Sequence, residues 1–253
     1  MFFQGGEGTA YWSHGSPLVP PFMARLLSDG FQLVQVRWVD SWLFASEGES
    51  VGPALLACRP ATSVQWVHDN LYVPLGVKRP PGECGFCLTG SSGGASEVSY
   101  STTYYGLDGI IDALIPTSGP AHAALAKGCL ELPGYGYDTW DSRVIDDSYG
   151  YVGGMEGQGP CNKHDPSFTD RWNADSVDLG GNNYGYPATR VHFIMGQLDK
   201  TGAPAHALDF YNVLASVGQT LTLSWEVVPR MGHKIFQSSG GLLALEGALL
   251  GSG

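Results

Sequence analysis

The chain has 253 residues, of which 43% are apolar and 15% charged, proportions that exclude an intrinsically disordered protein. Its 36 glycines and 16 prolines follow no Gly-X-Y period, which excludes collagen. The net charge of −11 and the scattering of the 13 basic residues argue against a nucleic-acid partner. No apolar run is long enough for a membrane span, and no signal peptide is visible after Met1.

The predicted elements alternate between helices and strands. A helix over 21–29 precedes a strand over 32–39, and a long helix over 53–71 precedes a buried strand over 84–89. There follow a helix over 93–105, a strand over 110–115 ended by Pro116, a strand over 191–196, a helix over 204–217, a strand over 220–228 and a terminal helix over 236–250. This alternation predicts one α/β domain over 1–253, with a mostly parallel open sheet flanked by helices.

Residues 128–187 break this alternation, because they are rich in Gly, Tyr, Asp and Asn and show little periodicity. Such a long irregular stretch in a compact domain is typical of a lid or a binding loop. We therefore predict a lid-like insertion in which some aromatic rings line a cleft; alternatively, the rings pack the loop against the body. The aromatic residues of the insertion are Tyr135, Tyr137, Trp140, Tyr149, Tyr151, Phe168, Trp172, Tyr184 and Tyr186.

The strongest local motif is Gly90-Ser91-Ser92-Gly93-Gly94, which fits G-x-S-x-G with Ser92 at its centre. It falls between a predicted strand and a predicted helix, where a tight turn lifts a nucleophilic serine to a helix N-terminus. A plain turn or a phosphate-binding loop is the alternative, but the lysine and the G-x-G-x-x-G spacing of such loops are absent. Ser92 is the predicted nucleophile, and Ser91 is the second candidate.

A nucleophilic serine needs a base, and the base needs an acid that orients it. Among seven histidines, His233 follows the last predicted strand in the sequence RMGH, at the same sheet edge as Ser92. Asp199 ends the sequence GQLD after the preceding strand, in the chain order Ser, Asp, His. A solvent-facing loop histidine and a helix-capping aspartate are the alternatives. Rival acids lie in the insertion: Asp146, Asp147 and Asp165.

A glycine-rich segment near the start of the chain is the candidate oxyanion loop. It reads QGGEG and follows Phe2 and Phe3. One oxyanion donor would be the N–H of Gly93, directly after Ser92, and the second would be the N–H of Gly6 or Glu7. A glycine-rich turn without a role is the alternative interpretation.

The segments QGGEG, GSSGG, GQLD and MGH, in this order, resemble the α/β-hydrolase superfamily in its serine-esterase form over nearly the whole chain. The resemblance implies Ser92 as nucleophile, His233 as base and Asp199 as acid. It also implies oxyanion donors at Gly6 and Gly93. In this family further strands precede the oxyanion loop, so we expect the first family strands to be missing here.

These residues imply hydrolysis of a small-molecule or polymeric carboxylic ester through an acyl-enzyme on Ser92, with no cofactor and no metal. The aromatic insertion favours short or aromatic acyl groups, including those of polyesters, over long chains. The alternative is a serine peptidase of the iminopeptidase or prolyl-peptidase type, in which Glu7 and the acidic insertion would hold a substrate ammonium. A non-enzymatic binding protein is a third reading, and the oligomeric state stays open.

The cysteine pattern suggests two disulfides. The C-x-x-C of Cys84 and Cys87 lies in a strand-like run, which favours a structural role over redox chemistry or half a zinc site. Cys58 and Cys87 lie level when the long helix descends from the catalytic edge and the strand returns to it. We therefore predict Cys58–Cys87 and Cys129–Cys161 pairs, with Cys84 free. Two disulfides imply an oxidising compartment, so the protein is expected to be secreted.

Overall fold

The computed structural model describes residues 1–77 and 83–251. Within them, six strands form one open sheet in the order β2-β1-β3-β4-β5-β6, and every neighbouring pair is parallel. The strands are β1 (Phe2–Phe3), β2 (Gln35–Val36), β3 (Cys87–Ser91), β4 (Ala113–Thr117), β5 (Arg190–Gly196) and β6 (Thr222–Val228). The predicted parallel α/β architecture is confirmed.

Helices cover both faces of the sheet. They are α1 (Val19–Ser28), α2 (Pro53–Leu56), α3 (Cys58–Val67), α4 (Gly93–Thr103), α5 (Leu125–Cys129), α6 (Thr139–Ser148), α7 (Thr169–Asp175), α8 (Ala203–Val217) and α9 (Ser239–Leu250). Side chains of α1 and α9 form one core, and side chains of α3, α4 and α8 form the other. Successive strand residues alternate between these cores, since their side chains point to opposite faces of a sheet. Leu88 and Leu114 thus join the second core, and Cys87 and Ile115 join the first.

Strand β4 runs through Pro116 to Thr117, although the sequence predicted its end at residue 115. Pro116 pairs with Gly90 of β3, while the pairs between β4 and β5 skip residues 115 and 116. The ladder on the β5 side therefore does not require the N–H that proline lacks at this position.

The insertion over 128–187 contains two helices, α6 and α7, where the sequence predicted little regular structure. Its interior is a small third core around Ile145, Tyr149 and Trp172. The predicted Cys129–Cys161 disulfide is present in this core, and both sulfurs belong to fully buried residues. The disulfide thus ties the start of the insertion to its middle.

The predicted Cys58–Cys87 disulfide is wrong. Cys84 pairs with Cys87 instead, and Cys58 is an exposed free thiol. The prediction compared the positions of the two cysteines along the strand direction, but it did not consider on which face of the sheet each one lies. Cys87 points to the core formed with α1 and α9, whereas α3, which begins at Cys58, packs on the opposite face.

None of the helices in the described part of the chain has the length and apolar character needed to span a membrane.

Candidate active site

Ser92 occupies the turn between β3 and α4 in a conformation that serine rarely adopts, with φ 56° and ψ −113°. Two glycines make this turn possible. A Cβ on Gly90 would lie 2.1 Å from the carbonyl oxygen of Gly94, and a Cβ on Gly94 would lie 2.4 Å from the carbonyl oxygen of Phe3. Any larger residue at either position would force the strand and the helix apart. The tight turn therefore places Ser92 at the N-terminus of α4.

The structure brings Ser92, His233 and Asp199 together. His233 Nε2 lies 2.9 Å from Ser92 Oγ, and His233 Nδ1 lies 2.8 Å from Asp199 Oδ2. Asp199 follows β5 and His233 follows β6, so both loops meet Ser92 at the carboxyl edge of the sheet. The side chain of Asp199 is fully buried beneath the imidazole. This arrangement allows the imidazole to take a proton from the serine while a carboxylate orients the ring.

Thr201 completes the support of Asp199 and was missed by the sequence analysis. Its backbone N–H and its hydroxyl donate to Asp199 Oδ1 at 3.0 and 2.8 Å, and its Oγ1 lies 3.2 Å from His233 Nδ1. Burial raises the pKa of Asp199, but the hydrogen bonds from His233 and Thr201 outweigh it and hold this pKa below its ordinary value. A hydroxyl two residues after an aspartate is a common turn pattern, which gave the only hint in the sequence.

The rival acids have other partners. Asp146 accepts from the backbone N–H of Cys161 at 2.8 Å and so holds the disulfide loop. Asp147 accepts from Arg143 at 2.9 Å, and Asp165 caps the turn that begins at Pro166. The carboxylate that contacts His233 Nδ1 is that of Asp199.

Residues 5–8, from the QGGEG segment, lie against the serine turn and are called the oxyanion loop below after their predicted role. A Cβ on Gly93 would lie 3.0 Å from Gly6 N and 2.2 Å from Gly6 O, so the two backbones are in direct contact. Gly93 begins α4, where N–H groups have no carbonyl partner within the helix. The two predicted donors are thus adjacent to each other and to Ser92. The carboxylate of Glu7 lies 3.6 Å from the Arg143 guanidinium.

A cavity of about 460 Å³ opens above Ser92. Its walls come from the oxyanion loop, from the start of α6 and from the segment after His233. Two aromatic residues of the insertion line it, Tyr137 and Trp140, and the Trp140 residue is 42% exposed. Other aromatic residues of the insertion are buried away from it: Tyr149, Trp172 and Tyr186. Tyr149 and Trp172 pack in the third core of the insertion, and Tyr186 packs in the core formed with α3, α4 and α8, so these three rings have a packing role.

Carboxylates of α6 and its cap make one wall of the cavity acidic. Asp138 caps α6 by accepting from the backbone N–H of Asp141 at 2.9 Å, and both residues line the cavity. Burial, and then the nearby Asp138, raise the pKa of Asp141 to about 6, while His233 opposes the shift. The described residues contain no group of three or more His, Cys, Asp or Glu side chains placed to hold a metal ion.

Comparisons with known proteins identify similar folds. No protein-family model and no curated protein matches the sequence. A truncated carbohydrate esterase from gut microbiota has a TM-score of 0.57 at 16% identity, over 99% of this chain and 84% of that one. The monoacylglycerol lipase of Paleococcus ferrophilus has a TM-score of 0.52 at 14% identity, over 100% and 93%. A puromycin-hydrolyzing peptidase of Mycobacterium tuberculosis has a TM-score of 0.50 at 16% identity, over 78% of this chain but 25% of its own.

Proposed function

We propose that this chain, which has the α/β-hydrolase fold, hydrolyses carboxylic esters through an acyl-enzyme on Ser92. The observation that supports it best is the hydrogen-bonded chain from Ser92 through His233 to Asp199. His233 takes the serine proton as Oγ attacks the ester carbonyl, and the N–H groups of Gly6 and Gly93 stabilise the oxyanion. His233 then protonates the leaving alcohol. Water repeats the sequence and releases the acid.

The cavity supports short or aromatic acyl groups as substrates. Its volume of about 460 Å³ lies in the range of small-molecule sites, and Tyr137, Trp140 and Phe236 give it flat apolar surfaces. Aromatic acids of small esters or of polyester chain ends match these surfaces better than long flexible chains. Specificity constants for benzoate and terephthalate esters should therefore exceed those for laurate and palmitate esters.

The test is a panel of nitrophenyl esters beside aminoacyl amides, measured on the protein and on Ser92→Ala. We expect Ser92→Ala to lower kcat by about 10⁴–10⁶-fold without loss of folded structure, because the hydroxyl supplies chemistry rather than packing. Ser91→Ala is the matched control and should retain activity. Near-normal turnover by Ser92→Ala would end the proposal, and transfer of the loss to Ser91→Ala would move the nucleophile by one residue.

A serine peptidase is the second candidate function. The carboxylates of Asp138 and Asp141 at the cavity wall would hold the free ammonium of an aminoacyl substrate. The panel separates the two candidates when each amide is offered with a free and with an acetylated amino group. Faster cleavage of the free aminoacyl amides than of any ester would favour the peptidase.

The disulfides support a location in an oxidising compartment, where such bonds persist. Peptide mapping of the protein from its native source should then find Cys58 as the free thiol. Five reduced thiols would contradict export.

A further inference from the structure

Glu97 is a buried carboxyl group that the proposed reaction does not use. It is the single charged residue in the sequence between Glu83 and Asp108. It lies in α4, a helix whose residues are all buried, and it is itself 0% exposed. Burying a carboxyl group costs free energy unless partners compensate it, so its place in this helix calls for a physical reason.

The contacts of Glu97 point toward the oxyanion loop. Its Oε2 accepts from the indole Nε1 of Trp38 at 2.7 Å. Its Oε1 has no hydrogen-bond partner among the described residues and faces Gly8, where a Cβ would lie 3.1 Å from it. Burial raises the pKa of Glu97 well above its ordinary value, and the Trp38 hydrogen bond opposes this only in part. Burial therefore favours the uncharged form of this acid, which a glutamine imitates in shape.

Trp38 in turn holds the end of the oxyanion loop. Its backbone N–H donates to the carbonyl oxygen of Gly8 at 2.9 Å. Its indole packs so closely on Gly8 that a Cβ there would lie 2.5 Å from Trp38 Cδ1. The backbone N–H of Trp42 donates to the carbonyl oxygen of Glu7 at 3.2 Å, in the same loop. Glu97 thus connects α4, the helix that begins beside Ser92, to Trp38, which holds the oxyanion loop that carries Gly6.

We propose that Glu97 is a positioning residue that fixes the oxyanion loop against the nucleophile's helix through Trp38. The inference rests on the proposed function, because the loop matters for turnover only if Gly6 stabilises an oxyanion. Preorganised donors act on the transition state and need accurate placement, so a loosened loop should reduce kcat more than it changes KM. A buried hydrogen bond that served stability alone would have no such selective effect.

The kinetic test compares four variants on one nitrophenyl ester. Glu97→Gln keeps the hydrogen bond to Trp38 and should stay within about 3-fold of the parent kcat. Glu97→Leu and Trp38→Phe each remove it and should lower kcat by roughly 10–100-fold, with KM changed by less than about 3-fold. The control is Ser99→Ala, which removes a buried hydroxyl that donates within α4 to the Ala95 carbonyl oxygen at 2.8 Å. It should leave kcat unchanged.

Hydrogen exchange of the same proteins tests the positioning without any substrate. Backbone amides of residues 5–8 should exchange faster in Glu97→Leu and Trp38→Phe than in the parent, while amides of α8 keep their protection. If Ser92→Ala retains turnover, the proposed function fails. Hydrogen exchange alone then tests whether Glu97 fixes the oxyanion loop through Trp38. Unchanged exchange in both variants, or a Glu97→Gln protein as impaired as Glu97→Leu, would overturn the inference. Trp38→Phe keeps the test open if Glu97→Leu does not fold.

Discussion

At the scale of single residues, the backbone conformation of Ser92 lowers the stability of the fold while it places the hydroxyl at the N-terminus of α4. A side chain at φ 56° and ψ −113° is strained, and glycine accepts such a conformation at little cost. We expect Ser92→Gly to lack activity but to unfold with a free energy about 1 kcal/mol above that of Ser92→Ala. Urea unfolding of the two inactive variants measures this difference. A Ser92→Gly protein less stable than Ser92→Ala would show that the turn carries no such strain.

Thr201 gives a second prediction at this scale. Thr201→Val removes the hydroxyl that donates to Asp199 but keeps the backbone N–H that does the same. A hydrogen bond to a carboxylate contributes about 1.5–3 kcal/mol, so kcat/KM should fall by roughly 10–150-fold. Thr201→Ser, which keeps the hydroxyl, is the control and should stay near the parent. Equal losses in both variants would assign the effect to packing of the methyl group.

The position of Ser92 at the carboxyl edge of the sheet could be predicted from the sequence, because its motif fixed it to a turn between a strand and a helix. Ser92 lies directly after β3 and His233 lies in the loop that follows β6, and short apolar runs predicted both strands. Thr201 and Glu97 were missed, because their roles depend on which groups the fold places next to Asp199 and Gly8. A threonine after an aspartate and a glutamate inside a helix are too common to indicate such contacts.

At the scale of elements, the insertion depends on its disulfide. The bond between Cys129 and Cys161 spans 32 residues and lies in the core shared by α6 and α7. Replacing both cysteines by serine should lower the free energy of unfolding by about 3–4 kcal/mol, the loop entropy for this length. Because α6 carries Trp140 and Asp141 into the cavity, KM should rise as well. Thermal unfolding and ester kinetics check the two effects.

The control for this pair is Cys58→Ser, which changes an exposed free thiol and should leave both measurements unchanged. A double serine variant as stable as the parent would contradict the claim that the Cys129–Cys161 disulfide stabilises the insertion.

The type of each element could be predicted better than its end residues and better than the face of the sheet on which it packs. The apolar runs predicted β3, β5 and β6, but the predicted strand over 32–39 is reduced to Gln35–Val36. Propensity does not show that this strand has one neighbour, β1, which is itself two residues long. The Cys58–Cys87 error has the same origin. The face of the sheet on which a helix packs is a property of the tertiary structure. It cannot be derived from the positions of two residues along the axes of their helix and strand.

At the scale of the whole molecule, a buried acid makes stability depend on pH. Asp178 is 5% exposed, and its Oδ1 has no partner among the described residues. Burial, and then Asp209, raise its pKa to about 7, while Lys127 opposes the shift. The folded state therefore holds this proton more tightly than the unfolded state. Its contribution to stability is complete below pH ~4 and is lost as pH rises through about 7.

Asp178→Asn removes this dependence. At pH ~8 the variant should unfold with a free energy higher than the parent by on the order of 2–4 kcal/mol, and at pH ~4 the two should be similar. Urea unfolding at both pH values is the measurement, with the exposed Asp170→Asn as control. A variant less stable than the parent at the higher pH would mean that the ionised carboxylate has a stabilising partner.

The parallel sheet, and the edge of it at which Ser92, Asp199 and His233 meet, could be predicted because strand, turn and helix signals recur in one chain order. The helical content of the insertion could not, since α6 and α7 are stabilised by a shared core around Trp172 rather than by a clear apolar period. For the same reason the destination of each aromatic ring in the insertion was open until the fold placed Trp140 at the cavity and Tyr149 in the interior.

The nucleophile is the central claim, and covalent labelling tests it most directly. A fluorophosphonate reacts with a serine only when a base and oxyanion donors activate it. Digestion and mass spectrometry of the labelled protein should place a single adduct on Ser92, and His233→Ala should remain unlabelled. An adduct on Ser91 or elsewhere, or an unlabelled protein that still hydrolyses nitrophenyl esters, would contradict the account.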